Sequence, residues 1–289
     1  MTFVEKATSH ESEKRGGFMA IQVNGQIQSH SQAALIPRTI WRMANFYPGY
    51  AFGKLLRLPL RLIPKGIAIR VLRGPMKGLQ WISDSSNATC WMGAYESEKQ
   101  RAFCKVVGRG QVIFDLGAHV GFYTLLASRL VGSGGRVIAF EPAKRNISYL
   151  SRHLAMNRIV NCDVIEAAVS SQDGTAFFDA PTPVSGHLSK KRGEAQYEVA
   201  TVTLDRLVHD DVIPRPNVIK CDIEGGEYEA LIGAQDILRR CKPVILLATH
   251  GAEVHMLCCK LLSDLGYSLK SLTEDGNLST TDELIAYPL

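Results

Sequence analysis

From Gln111 onward two rhythms alternate along the chain. Val112–Asp115, Arg136–Phe140, Val164–Val169, Val218–Cys221 and Pro243–Ala248 are short apolar runs without clean in–out alternation. Between them, Phe122–Leu130, Lys144–Met156, Glu227–Arg239 and Val254–Leu265 repeat apolar residues at the spacing of a helix face. Strands that do not alternate are buried on both sides, so the pattern predicts a mostly parallel sheet with helices on both faces, a three-layer α/β fold. Crossovers in such a sheet are right-handed. The stretch after Val169 reads as a less regular insert, and Tyr267–Leu272 with Glu283–Tyr287 suits a closing hairpin at the sheet edge.

Upstream the rhythm is different. Residues 1–35 are polar, rich in Ser, Gln and Gly, and predict a disordered leader. Residues 36–62 mix Trp41, Phe46, Tyr47, Tyr50 and Phe52 with Arg42, Lys54, Arg57 and Arg61. That pattern fits a cap packed on the main domain better than a basic surface resting on a membrane. Ile67–Leu72 and Leu79–Ile82 flank a turn with Gly74, Pro75 and Gly78, a hairpin signal. Trp91–Glu96 then leads into a helix running to about Val107. The division is a leader over 1–35, an extension over 36–90 and a main domain over 91–289.

Composition narrows the class without naming it. Hydrophobic residues are 46% and charged residues 21%, ordinary for a globular chain, and a net charge of +5 falls short of a nucleic-acid footprint. Seven cysteines with no Cys-x-x-Cys spacing read as reduced thiols, and no apolar stretch is long enough to span a bilayer, so a cytoplasmic protein is expected.

The candidate chemistry begins at Asp115-Leu116-Gly117-Ala118-His119-Val120-Gly121, where a buried strand meets a helix. Gly117 lets backbone approach a ligand, and Gly121 lets the helix pack tightly on the strand. A dinucleotide fingerprint needs a middle glycine, which Ala118 and His119 do not supply. Asp115 would repel a pyrophosphate and attract an ammonium or sulfonium group. Glu141 closes the next strand, where a carboxylate can accept from both hydroxyls of a ribose. The pair points to S-adenosyl-L-methionine. The plainer alternative makes Asp115 a helix cap and Glu141 a partner of Lys144 or Arg145.

The segments WMGAYESE (Trp91–Glu98), VIFDLGAHVGFYTLLASRL (Val112–Leu130), RVIAFEPAKR (Arg136–Arg145), EAAVS (Glu166–Ser170), TVTLDRL (Thr201–Leu207) and IKCDIEGGEY (Ile219–Tyr228) resemble, in order, those of the FkbM-type methyltransferases. The resemblance implies a class I methyltransferase fold, Rossmann-like, with a seven-stranded, mostly parallel sheet of order 3-2-1-4-5-7-6 and the seventh strand antiparallel. It implies S-adenosylmethionine as cofactor and methylation of a hydroxyl oxygen on a small molecule or glycan. Carried onto this chain, Asp115, Gly117, His119 and Gly121 form the cofactor loop, Glu141 holds the ribose, and Ala168 and Val169 flank the adenine. His119 stands where the family usually has Asn.

Methyl transfer is an in-line displacement, so the protein supplies alignment and a way to remove the hydroxyl proton. Asp222, after the strand Val218–Cys221, is the leading candidate, as general base or as ligand to a divalent ion, and it also borders the cofactor; Glu224 and Glu227 support it. The alternative makes Asp222 a helix N-cap. His250, at the next strand tip, is a second candidate base. Many family members carry a Glu two residues before this His; here Ala248 stands there, which weighs against a full magnesium site and leaves Asp222 as the single metal-ligand candidate. Glu96 is read either as part of a lid over the cofactor or as a first-turn helix acid. His187, in the basic stretch 181–194 with Ser185, Gly186, Lys190, Lys191 and Arg192, marks the candidate substrate loop. An NAD-linked oxidoreductase and an inactive S-adenosylmethionine-binding module are the competing readings. The expected partner is a small-molecule or carbohydrate hydroxyl substrate, with no nucleic acid.

Overall fold

A computed structural model describes residues 63–182, 185–189, 197–272, 276–278 and 281–289. The expected leader, the stretch 36–62 and the lysines and arginine of 190–192 lie outside the described residues.

The hairpin is formed by β1 (Ala68–Arg70) and β2 (Gln80–Ile82), antiparallel, followed by helices α1 (Ala88–Met92) and α2 (Ser97–Val106). The main domain then runs β3 (Val112–Leu116), α3 (Phe122–Val131), β4 (Arg136–Phe140), α4 (Lys144–Met156), β5 (Cys162–Ile165), β6 (Ala168–Val169), β7 (Gly174–Thr182), β8 (Ser185–Ser189), β9 (Tyr197–Val202), α5 (Leu204–His209), β10 (Val218–Cys221), α6 (Glu227–Ile232), α7 (Gln235–Arg240), β11 (Val244–Ala248), α8 (Ala252–Asp264), β12 (Tyr267–Ser271) and β13 (Glu283–Pro288). The central sheet has seven strands in the order β12-β13-β11-β10-β3-β4-β5. Counted within that sheet, this is 3-2-1-4-5-7-6, and β13 runs antiparallel to both neighbours. The expected class I architecture is thus present.

Successive strand residues feed opposite layers. Ile113, Val137, Val218 and Leu246 face a core shared with α3, α4 and the hairpin, whereas Phe114, Ile138, Ile219 and Ile245 face one shared with α5 to α8. Burial on both faces is why the strands show no in–out alternation in sequence.

Three expectations change in detail. The run Val164–Val169 is two strands, because β6 leaves the main sheet to pair with β9. The supposed irregular insert is a four-stranded sheet, β6-β9-β7-β8, in which His187 lies opposite Asp179. The helix expected over Glu227–Arg239 breaks at Gly233, where a Cβ would stand 2.1 Å from the Ser170 carbonyl; the Asp205 carboxylate then caps α7 by accepting from the backbone N–H of Asp236 and Ile237, both at 2.9 Å. The closing hairpin is as expected: β12 and β13 pair antiparallel with β12 at the sheet edge and β13 against β11.

The hairpin is fastened to the domain through His153 of α4. Its ring stacks on Trp81 at 4.1 Å between centroids. Its Nδ1 lies 2.7 Å from the Val120 carbonyl, which can only accept, so Nδ1 carries the proton and Nε2 accepts from the Ile82 N–H at 3.0 Å. Among the described residues no helix is long and apolar enough to cross a membrane, and all seven cysteines are free.

Candidate functional site

Four adjacent strands, β4, β3, β10 and β11, run parallel and end at the same edge of the sheet. Immediately past their C-terminal ends stand Glu141, the Gly117–His119 turn, Asp222 with Glu224, and His250. Parallel α/β sheets bind ligands beyond this edge because the loops there diverge. A cavity of about 470 Å³ opens at that place, a size suited to a nucleoside-sized ligand. Its walls include Gly117, His119, Glu141, Ala168, Val169, Asp222 and Glu224.

Gly117 has φ +75°, and a Cβ there would lie 2.0 Å from the Asp222 carbonyl, so the turn tolerates no side chain. Gly121, with φ +97°, is required for packing of α3 on α4: its Cβ would meet Leu150 at 2.4 Å. The tight approach is therefore helix to helix, where helix to strand had been expected, and Gly121 is not part of the cavity wall.

Glu141 is buried and faces the cavity while organising the loops around it. It accepts from the His119 N–H at 2.8 Å, the Ala143 N–H at 2.9 Å and Asn146 Nδ2 at 3.1 Å. Burial raises its pKa, and these donors partly offset the rise. Neither Lys144 nor Arg145 is what holds it; Lys144 lies near Glu166 instead.

Asp115 stands elsewhere than expected. It is 1% exposed and sits behind the cavity wall, accepting from Thr124 Oγ1 at 2.6 Å and pairing with Lys220 Nζ at 3.3 Å. Lys220 is its register neighbour on β10 and also donates to the carbonyls of Leu116 and Gly117. Burial alone would lower the Lys220 pKa, but Asp115 and Asp222 hold it raised. Asp115 therefore neutralises a buried lysine that props the cofactor turn, and it is this lysine that reaches the cavity wall.

Asp222 is no helix cap: α6 starts at Glu227 behind Gly226. Its Oδ2 lies 2.9 Å from Lys99 Nζ, and Lys99, 3% exposed on α2, also meets Glu283 at 3.0 Å and Glu96 at 3.5 Å. Burial pushes the Asp222 pKa up, yet Lys220 and Lys99 together bring it down to about 2. For Lys99, burial opposes the charge and the three carboxylates more than restore it. Glu96 takes a left-handed backbone (φ 41°) at the N-cap of α2, and its carboxylate accepts from Tyr123 Oη at 2.9 Å. It stands outside the cavity wall, to which its neighbour Tyr95 belongs, together with Ser86, Asn87 and Cys90.

His250 is the other strand-tip group. Its Nδ1 lies 2.9 Å from Oε1 of the fully buried Glu227. That hydrogen bond raises the imidazole pKa to about 8. Glu227 itself accepts from the backbone N–H of Gly225 and Ile223, so it is fixed before it fixes the histidine. Nε2 of His250 points between Asp222 Oδ1 at 3.8 Å and Glu224 Oε2 at 3.7 Å. Asp222 and Glu224 from the tip of β10 and His250 from the tip of β11 are thus brought together at the cavity edge.

Sequence reasoning passed over Lys99, Lys220, Glu283 and the rings of Phe178 and Tyr197, which the small sheet presents to the cavity. One signal was available: Lys220 is a lone charge inside the apolar run Val218–Cys221.

This chain is similar to several known methyltransferases. Hexuronic acid methyltransferase AglP of Haloferax volcanii is 27% identical over 193 residues, 66% of this chain and 75% of that one. Among solved structures, a methyltransferase FkbM from Methylobacillus flagellatus is 17% identical with a TM-score of 0.44, over 70% of this chain and 55% of that one. An S-adenosylmethionine-dependent O-methyltransferase from Thermotoga maritima is 12% identical with a TM-score of 0.43, over 82% and 81%. The model of the methyltransferase FkbM domain matches residues 115–269, more than half of the chain, and the chain belongs to that family of S-adenosylmethionine-dependent methyltransferases.

Proposed function

We propose that this protein transfers the methyl group of S-adenosylmethionine to a hydroxyl oxygen of a small molecule or glycan, with sugars of the uronic acid type as the first acceptors to test, given the likeness to AglP. The single observation that carries the reading is the placement of two unlike groups on one cavity. A buried carboxylate, Glu141, stands at one side, and Asp222 and Glu224 stand at the other, with His250 beside them just outside the wall.

The residues present fit the cofactor. Glu141 would accept from a ribose hydroxyl with the one lone-pair site the loop leaves, and Ala168, Val169, Phe178 and Tyr197 offer apolar and aromatic surface to the adenine. The Gly117–His119 turn on the cavity wall would border the methionyl tail. Bound there, the cofactor supplies an activated methyl on a positively charged leaving group. Transfer of that methyl to a hydroxyl would require loss of the hydroxyl proton, and Asp222, Glu224 and His250 are the polar groups that would orient the acceptor for it. Asp222, held ionised beside Lys99, orients rather than abstracts, which shifts the deprotonating role assigned to it by sequence toward its neighbours.

The test is a methylation assay of the full chain with S-adenosylmethionine and a panel of acceptors, uronic acid glycosides, neutral glycosides, amines and carboxylic acids, read by mass spectrometry of the products. Thermal shifts with S-adenosylhomocysteine and NAD are measured alongside. The expected result is methyl ethers from sugar acceptors and stabilisation by S-adenosylhomocysteine alone. Methyl esters or N-methyl products would refute the hydroxyl assignment, and stabilisation by NAD alone would refute the cofactor site.

A further inference from the structure

Asp222, Glu224 and His250 bring three possible ligand atoms together, where either a proton on His250 or a bound cation offsets the two carboxylates. One ligand atom from each lies within 4.8 Å of the other two. Glu227 holds Nδ1 of His250, so in the neutral ring Nδ1 carries the proton and Nε2 presents a lone pair. That lone pair faces two carboxylate oxygens, which are acceptors only, at 3.8 and 3.7 Å. Those separations are too long for a proton on Nε2 to make a hydrogen bond to either oxygen. They suit three atoms sharing a metal ion: with ligand bonds of about 2.1–2.2 Å, octahedral neighbours stand roughly 3.0 Å apart and opposite ligands roughly 4.3 Å apart. The support behind His250 bears on the same reading. The residue behind His250, Glu227, is fully buried, and its Oε2 has no hydrogen-bond partner. A buried carboxylate bonded to the far nitrogen of a histidine is the support that metal-ligating histidines use to fix the ring and strengthen the near nitrogen.

We propose that Asp222, Glu224 and His250 bind one divalent cation of the Mg²⁺/Mn²⁺ class, oriented by Glu227, and that the acceptor hydroxyl occupies one of its remaining coordination positions. Two carboxylates and one imidazole are a ligand set for these hard to borderline ions. The three protein ligands leave open positions for the acceptor and for water, and the ion favours the deprotonated hydroxyl, whose proton passes to solvent. Sequence reading weighed against such a site because Ala248 stands where a carboxylate is common. The fold meets the need differently, with the imidazole two residues on reaching the tip of β10. The inference deepens the O-methyltransferase reading and rests on it for the acceptor alone; the ion site itself does not depend on which molecule is methylated.

The experiment uses the full chain freed of metal by chelation. MnCl₂ is titrated and free Mn²⁺ is read by electron paramagnetic resonance, with S-adenosylhomocysteine thermal shifts recorded without metal on each protein. One Mn²⁺ site per chain is expected. His250→Ala and Glu224→Gln should each weaken it at least tenfold, and Glu227→Gln by about tenfold, while all three keep the S-adenosylhomocysteine shift that reports an intact fold. Absence of a stoichiometric site in the wild-type protein, or equal Mn²⁺ affinity in His250→Ala and wild type, overturns the cation site. Because the S-adenosylhomocysteine shift is read in the same series without metal, failure of the ion site is distinguishable from failure of the methyltransferase reading. A variant that loses the shift as well is replaced by His250→Gln, to which the same criteria apply.

Discussion

Glu141 organises the loops around it and, in the proposed function, also holds the ribose; Glu141→Gln separates the two roles. Glutamine keeps the volume and one acceptor oxygen. Placed where Oε1 now stands, that oxygen retains the bonds from Ala143 N–H and Asn146 Nδ2, but the new amide then faces the His119 N–H, donor against donor. Losing that charge-assisted bond costs about 1–3 kcal/mol, and the loss falls on the empty loop, so thermal stability drops before any ligand is added. Loss of a charged acceptor for the ribose hydroxyls costs a further ~1–3 kcal/mol of binding, roughly 10- to 100-fold in the Kd of S-adenosylhomocysteine. Calorimetry of both proteins with S-adenosylhomocysteine and with its 2′,3′-dideoxy analogue closes the comparison. Wild type should bind the analogue much more weakly than the parent, and Glu141→Gln should scarcely distinguish the two. If both proteins lose the same affinity when the hydroxyls are removed, the ribose is held by some other group.

Two further outcomes follow from buried charge and buried imidazole. Asp115→Asn leaves Lys220 as an uncompensated cation at 5% side-chain exposure and should destabilise the fold by about 3 kcal/mol in urea unfolding; unchanged stability together with a large loss of cofactor affinity would instead put Asp115 in contact with the cofactor. Burial lowers the His153 pKa to about 4 from its ordinary 6.5. The unfolded chain therefore binds the extra proton between pH 6.5 and 4, and stability falls as pH drops through that window, by up to about 3 kcal/mol for this group. Unfolding midpoints measured across the window should show that His153→Gln has a shallower slope than wild type, and parallel slopes would contradict the assignment.

How far the sequence was readable depends on the range of the interaction concerned. Strands β3, β4, β10 and β11 were legible because their burial on both sides is written locally, as short, mostly apolar runs without alternation. Gly117 and Glu141 were legible because a turn without room for Cβ and an acid at a strand tip are also local. The small sheet was not, since β9 reads Tyr-Glu-Val-Ala-Thr-Val and buries only some of its positions, leaving no unbroken run. Nor was the partner of Asp115. An acid at the tip of a buried strand looks the same in sequence whether it meets a ligand or a lysine from the next strand, and Lys220 arrives by β pairing over a long separation. Lys99 comes from still farther off, on a helix of the N-terminal segment, and nothing near Asp222 announces it.

Backbone strain gives an independent view of which side chains the site uses. Six described residues other than glycine have positive φ, and three of them, Glu96, His119 and Glu224, stand around this one cavity. Each left-handed residue with a Cβ costs on the order of 1 kcal/mol relative to glycine, which adopts the same backbone without that penalty. The geometry of the turns alone would be served at least as well by glycine, as Gly117, Gly121 and Gly225 nearby demonstrate. At two of the three positions the side chain has a visible role, since Glu96 reaches Tyr123 and Lys99, and Glu224 reaches His250. At His119 the turn aims the backbone N–H at Glu141, and the residue lies on the cavity wall beside the place assigned to the methionyl tail. Strain carried by charged and polar side chains at one edge of the sheet is what a preorganised reaction site requires, because groups that must meet charge in the transition state are then held before substrate arrives.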